Sequence, residues 1–163
     1  MPCATGYGGI SARKREGDGV TPAGLFRVVG LLYRPDRIGR AALPDWARPI
    51  RPFDRWSDDP RDPHYNLYLP RATPGRSSER LSRPDPLYDL LMILDHNWPE
   101  AVPGRGSAIF LHVWRRPRAP TAGCVAFRRA DLLWIAAQFR HESRVLIQAS
   151  AGPLRRGAMR QTV

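Results

Sequence analysis

Cysteine is scarce: only Cys3 and Cys124 occur in 163 residues. One disulfide at most can form, which excludes a small secreted scaffold stapled by several bridges. At least one thiol is expected to be free. Long apolar runs are missing too, since none reaches the roughly 18 residues that a bilayer-spanning helix needs. The first twenty residues, rich in glycine and charge, contain no apolar stretch of the signal-peptide kind. No stable membrane insertion is expected, and the chain reads as cytoplasmic if Met1 is the genuine start. Lysine is nearly absent, because Lys14 is the only one among 26 basic residues. The arginines are scattered in singles, pairs and triplets, so no basic arm or helix emerges, and nucleic acid is not an expected partner. Metal spacing is lacking as well. His64, His96, His112 and His141 form no HxxxH or HExxH, the cysteines form no CxxC, and neither metal nor other cofactor is expected.

What is present is a chain for one compact domain, taken as 1–163. Apolar residues make up 42% of it, enough for a core, while 14 glycines and 17 prolines break it into short pieces. That composition disfavours a helical bundle and favours strands joined by long loops. A formal net charge of +11 suits an anionic partner without saying which.

Residues 25–33 are apolar and partly β-branched between Gly24 and Pro35, as in a buried strand. Residues 35–63 carry many prolines and no period, and predict an irregular excursion. Alternation over 64–69 predicts a half-buried strand. Residues 71–83 have loop composition, the apolar run 87–95 leans to strand, and 107–114 predicts another. Leu132, Leu133, Ile135, Ala136 and Phe139 recur near the helical period behind Asp131, which predicts the one good helix over 128–140. Residues 144–149 predict a last short strand, and the tail from about 152 is expected to be loose. The fold class is mostly β with a small α component.

The chemically informative window runs from Ser107 to Ala126. His112 ends an apolar strand, and Cys124 follows twelve residues later behind Gly123 in a turn. An imidazole beside a thiol can take its proton and hold the thiolate as an ion pair. A glycine before the cysteine lets the backbone turn sharply and aim amide hydrogens at one point, as an oxyanion hole requires. The same spacing also fits a buried, inert thiol and a hydrogen-bonded core histidine. Asp58 and Asp59 are adjacent, so in an extended chain they point apart and make no acid/base dyad. Trp56 fits either a cleft wall or a small satellite core.

Thr21-Pro22-Ala23-Gly24-Leu25-Phe26, the His112 strand and Thr121-Ala122-Gly123-Cys124-Val125 resemble the L,D-transpeptidase (YkuD-type) catalytic domain. Lys14-Arg15-Glu16-Gly17-Asp18-Gly19, Trp56-Ser57-Asp58-Asp59-Pro60, Tyr65-Asn66 and the stretch Gly104 to His112 are similar to a short, single-domain branch of that family. The likeness spans about Gly6 to Ile147. It implies a β-rich sandwich or barrel-like fold and action on peptidoglycan stem peptides. Carried over to this chain, it implies Cys124 as nucleophile, His112 as base, Gly123 as the turn residue at the oxyanion site, and Val113 as the source of the carbonyl that orients the imidazole. Ala122 and Ala126 depart from the common pattern, which often has histidine and arginine there. The implied reaction is L,D-transpeptidation of tetrapeptide stems by a bacterial periplasmic or cell-wall monomer through a Cys124 thioester, with D-alanine released. The alternatives are an L,D-carboxypeptidase, with water as acceptor, and a non-catalytic binder of peptidoglycan or another polyanion.

Overall fold

The computed structural model describes residues 1–140 and 142–149, so His141 and the tail expected to be loose from about 152 lie outside the described residues. In chain order the elements are β1 (Cys3–Ala4), β2 (Ile10–Ser11), β3 (Thr21–Pro22), β4 (Gly24–Tyr33), β5 (Arg48–Pro49), β6 (Arg55–Ser57), β7 (Tyr68–Leu69), β8 (Ser78–Arg80), β9 (Leu90–Leu94), β10 (Phe110–Val113), β11 (Val125–Phe127), α1 (Arg129–Gln138) and β12 (Arg144–Ile147). The fold is mostly β, with one α-helix among the described residues, as the composition implies.

The main sheet has the order β1-β11-β10-β9-β4-β12, and β5 also pairs with β4. Its centre is β9, in which all five residues are buried. The two-residue period of a strand explains why its apolar run is unbroken. Leu90, Met92 and Leu94 enter one core cluster, and Leu91 and Ile93 enter the other on the opposite face. The first face is covered by α1, whose Leu132 and Ala136, one turn apart, are fully buried. The second carries Phe110 and Trp56, with the small β7-β6-β8 sheet against it. Strand β10 divides in the same way, sending Leu111 and Val113 to the helix side and Phe110 to the other.

Four sequence expectations shift. Of 64–69 only Tyr68–Leu69 is strand. The carboxylate of Asp62 accepts from Ser57 Oγ and from the His64 amide, folding 62–66 into turns in which neighbouring Tyr65 and Asn66 are both buried. The run 87–95 opens with a 3-10 turn over Pro86–Tyr88, its first amide capped by Asp85, before β9 begins. The strand expected over 107–114 is shortened to Phe110–Val113 because Ala108 takes a left-handed φ of 52°. The strand over 144–149 stops at Ile147. Cys3 is held in β1 opposite Phe127 of β11.

Candidate active site

Strands β10 and β11 run parallel, with Leu111 opposite Val125 and His112 opposite Ala126. Cys124 immediately precedes β11, so the alternation of side chains places it on the same face as His112 and Phe110, away from the helix. Leu111, Val113 and Val125 fill the other face. The window that the sequence singled out is thus brought together by one parallel strand pair. Ala126, fully buried beside His112, leaves the imidazole uncrowded on that side.

Both side chains line a cleft of about 830 Å³, whose walls include Lys14, Glu79, Arg83, Tyr88, Thr121 and Gly123. His112 is buried, and its Nδ1 lies 2.8 Å from the Val113 carbonyl oxygen. A carbonyl only accepts, so Nδ1 carries the proton in that contact and the neutral ring keeps its lone pair on Nε2. Tyr88 packs edge-on against the imidazole at 5.5 Å. The Tyr88 hydroxyl donates to Glu79, and the Arg83 guanidinium lies 5.1 Å from the Tyr88 ring centre.

The Cys124 thiol donates to the Ala108 carbonyl at 3.1 Å and accepts from the Phe110 amide at 3.4 Å. Burial pushes the thiol up to about 12, with the Glu79 charge acting in the same direction. Burial pushes His112 below its ordinary value, the Val113 carbonyl acting against that shift. Both effects favour a neutral thiol with a neutral imidazole at rest, rather than the ion pair expected from sequence.

Gly123 has φ 145°, and a Cβ there would lie 3.0 Å from the Val20 carbonyl oxygen. Dihedral and space both demand glycine. Its amide, however, donates to Thr121 Oγ1 at 3.1 Å instead of standing open to an oxyanion. The Thr121 hydroxyl in turn donates to the Cys124 carbonyl at 2.6 Å, and Thr21 Oγ1 donates to the same carbonyl at 3.4 Å. The Thr21 to Phe26 motif, which forms β3 and the start of β4, therefore also steadies the backbone of Cys124.

Sequence reasoning missed Asn66 as the organiser behind the thiol. Its Oδ1 accepts from Trp56 Nε1 at 2.9 Å and from the Ala108 amide at 3.0 Å. Its Nδ2 donates to the carbonyls of His96 and Asn97 at 3.0 and 2.7 Å. All four bonding positions of the amide are filled, and one of them holds the N–H of Ala108, the residue whose carbonyl on the next peptide meets Cys124. The Tyr65-Asn66 pair was visible as a motif, but nothing in the sequence showed that it reaches residue 108. Trp56 is core, packed edge-on against Phe110 at 5.3 Å. Asp58 lines the cleft while Asp59 turns away to Arg61 at 3.1 Å. Among the described residues no three His, Cys, Asp or Glu side chains converge as metal ligands would, and no helix is long and apolar enough to cross a membrane.

Fold and cleft together define a β-rich domain that presents a cysteine and a histidine on one sheet face, lining one cleft. The family model of the L,D-transpeptidase catalytic domain, YkuD, matches residues 1–147, and the chain belongs to that family, which acts on peptidoglycan. No curated protein and no solved structure matches the chain.

Proposed function

We propose that this protein is a cysteine acyltransferase of peptidoglycan, an L,D-transpeptidase working as one domain and as a monomer on tetrapeptide stems. The observation that carries the reading is the placement of Cys124 and His112 on one face of the β10-β11 pair, in one cleft, with His112 Nδ1 tied to the Val113 carbonyl. That tie supplies the reason to assign Nε2 as the base. The bond attacked joins the L-configured centre of the third residue to D-alanine.

Nε2 takes the thiol proton as Sγ adds to the carbonyl carbon, so the C–S bond forms while the carbonyl π electrons move to oxygen. The oxyanion collapses, the C–N bond breaks, and the imidazolium returns its proton to the departing D-alanine amine. An amine of a second stem then attacks the thioester, His112 accepts its proton, and Cys124 leaves as thiolate and recovers the proton. A thiol held neutral by burial suits this order, because the proton moves only when a carbonyl is present to receive the electron pair.

Incubation with a purified tetrapeptide stem and mass spectrometry of the products test the proposal. Crosslinked dimers with released D-alanine are expected, and tripeptide monomers alone would assign the carboxypeptidase reaction instead. Incubation with imipenem or meropenem is expected to add one ring-opened molecule at Cys124, unaffected by Cys3→Ser and lost in Cys124→Ser. Turnover that survives Cys124→Ser would refute the assignment.

A further inference from the structure

The chain's one lysine is placed where the acyl-transfer reading needs positive charge. Lys14 sits in the loop between β2 and β3, its side chain only 4% exposed. The ammonium donates to Asp18 Oδ1 at 2.5 Å and to the Arg15 carbonyl at 2.8 Å. A lysine has three N–H donors, and the third has no protein acceptor among the described residues. The stem passes over Gly106, where a Cβ would come within 2.9 Å of Lys14 Cγ and Cε, and Nζ ends 3.5 Å from the Cβ position of Gly123. Two glycines with φ of 94° and 145° thus flank a buried ammonium. Nζ lines the cleft beside the residue that precedes the nucleophile.

We propose that Lys14 is a catalytic residue, its spare N–H stabilising the negative charge that develops on the attacked carbonyl oxygen and on Sγ of Cys124. The proposal rests on the acyl-transfer reading given above. The Gly123 amide, the obvious donor from sequence, is engaged by Thr121 Oγ1, which leaves the oxyanion short of a donor on that side. A buried cation acts strongly on charge formed nearby. Asp18 moderates it: its carboxylate also accepts from the Arg15 and Val20 amides at 2.6 and 2.9 Å, so its charge is shared and the lysine is incompletely neutralised. The Lys14 charge favours the Cys124 thiolate, against burial and Glu79. The other charged or titratable groups lining the cleft are Glu16, Asp58, Glu79, Arg83, Tyr88, His112, Arg115 and Arg116, and His96 packs against the Lys14 stem at Gly106. Glu79 is bonded to Tyr88, and Lys14 is the cation whose ammonium reaches Gly123.

Two variants separate this role from a structural one, read with two reagents on the whole chain. Iodoacetamide is uncharged, so its reaction with Cys124 from pH 6 to 10 reports the field on the thiol without any substrate carboxylate. Lys14→Met is expected to slow alkylation at every pH in that range, and to slow saturating meropenem acylation by about 10²-fold. Asp18→Asn keeps an acceptor for Lys14 but removes the counter-charge, and is expected to speed alkylation at every pH in that range. Opposite shifts support the proposal, whereas a packing role slows both variants alike. Should Lys14→Met fail to fold, the Asp18→Asn alkylation rate decides, and one that is unchanged or lowered overturns the proposal. An unaltered alkylation profile in Lys14→Met, with only the meropenem half-saturation raised, assigns Lys14 to carboxylate binding and also overturns it. Absence of any meropenem adduct on the unmodified protein would refute the acyl-transfer reading, and the iodoacetamide arms would still report on Lys14.

Discussion

Replacing Asn66 by alanine removes the amide on which the thiol's surroundings hang. Two N–H donors, Trp56 Nε1 and the Ala108 amide, and two carbonyls, of His96 and Asn97, lose their partner at once. Asn66 itself is 2% exposed, so water does not readily take its place. A buried polar group left unpaired costs roughly 1–3 kcal/mol, and with the two donors suffering most, the bonding loss comes to about 4 kcal/mol. The φ of 59° at residue 66 adds about 1 kcal/mol for alanine, which asparagine tolerates better. Asn66→Gly loses the same bonds without that addition and should be the more stable of the two by about 1 kcal/mol. Thermal unfolding followed by tryptophan fluorescence measures both variants, and the total of about 5 kcal/mol should lower the Tm by roughly 10–20 °C for alanine. In the fraction still folded, meropenem acylation of Cys124 should slow, because the Ala108 carbonyl that meets the thiol is no longer fixed. A loss below about 1 kcal/mol, the size of an ordinary surface substitution, would refute the view that Asn66 organises this region.

His112→Ala should slow meropenem acylation by about 10²–10⁴-fold as the general base is lost, while His64→Ala, at a largely exposed ring, should not. Because burial holds the His112 imidazole below its ordinary 6.5, the neutral base persists as pH falls through 7, so the acid limb of the acylation rate should lie below pH 6.5 and vanish in His112→Ala. Gly123→Ala should cost about 1–3 kcal/mol from the unfavourable φ alone, with further loss from the Val20 carbonyl at 3.0 Å, measured by thermal unfolding; an unchanged Tm would show that the turn relaxes freely. The Arg61 side chain holds the Asp59 carboxyl down to about 2 from its ordinary 3.8, so its contribution is present above pH 4 and lost as pH falls toward 2. The stability gap between the unmodified protein and Arg61→Ala should therefore close between pH 5 and pH 2, and a constant gap would contradict the pairing.

The mostly β class, the strands within 25–33 and 87–95 and the helix near 128–140 were legible because each rests on local pattern, an apolar run between breakers or a 3.6-residue recurrence behind an acidic residue. The first strand, expected to be buried, is however buried only at Phe26, Leu31 and Tyr33 and exposes Leu25. Cys124, His112 and Gly123 were legible as chemistry for a related reason, since a thiol, an imidazole and a turn glycine are short signals along one stretch of chain. What spacing left open was whether thiol and imidazole share a face. The parallel register of β10 and β11 decided that, pairing His112 with Ala126, and register is a property of two strands at once. The turn at 62–66 defeated alternation because side chains capped the backbone. Asn66 found its partners thirty and forty-two residues away. Lys14 was conspicuous in the sequence only as a solitary lysine, and its placement beside Gly123 arises from a loop folded over two glycines. Composition and period act through neighbours in the chain, which is why they announce elements. Burial, hydrogen-bond completion and the field at a thiol sum over groups that are distant in sequence, and only tertiary packing brings them within reach.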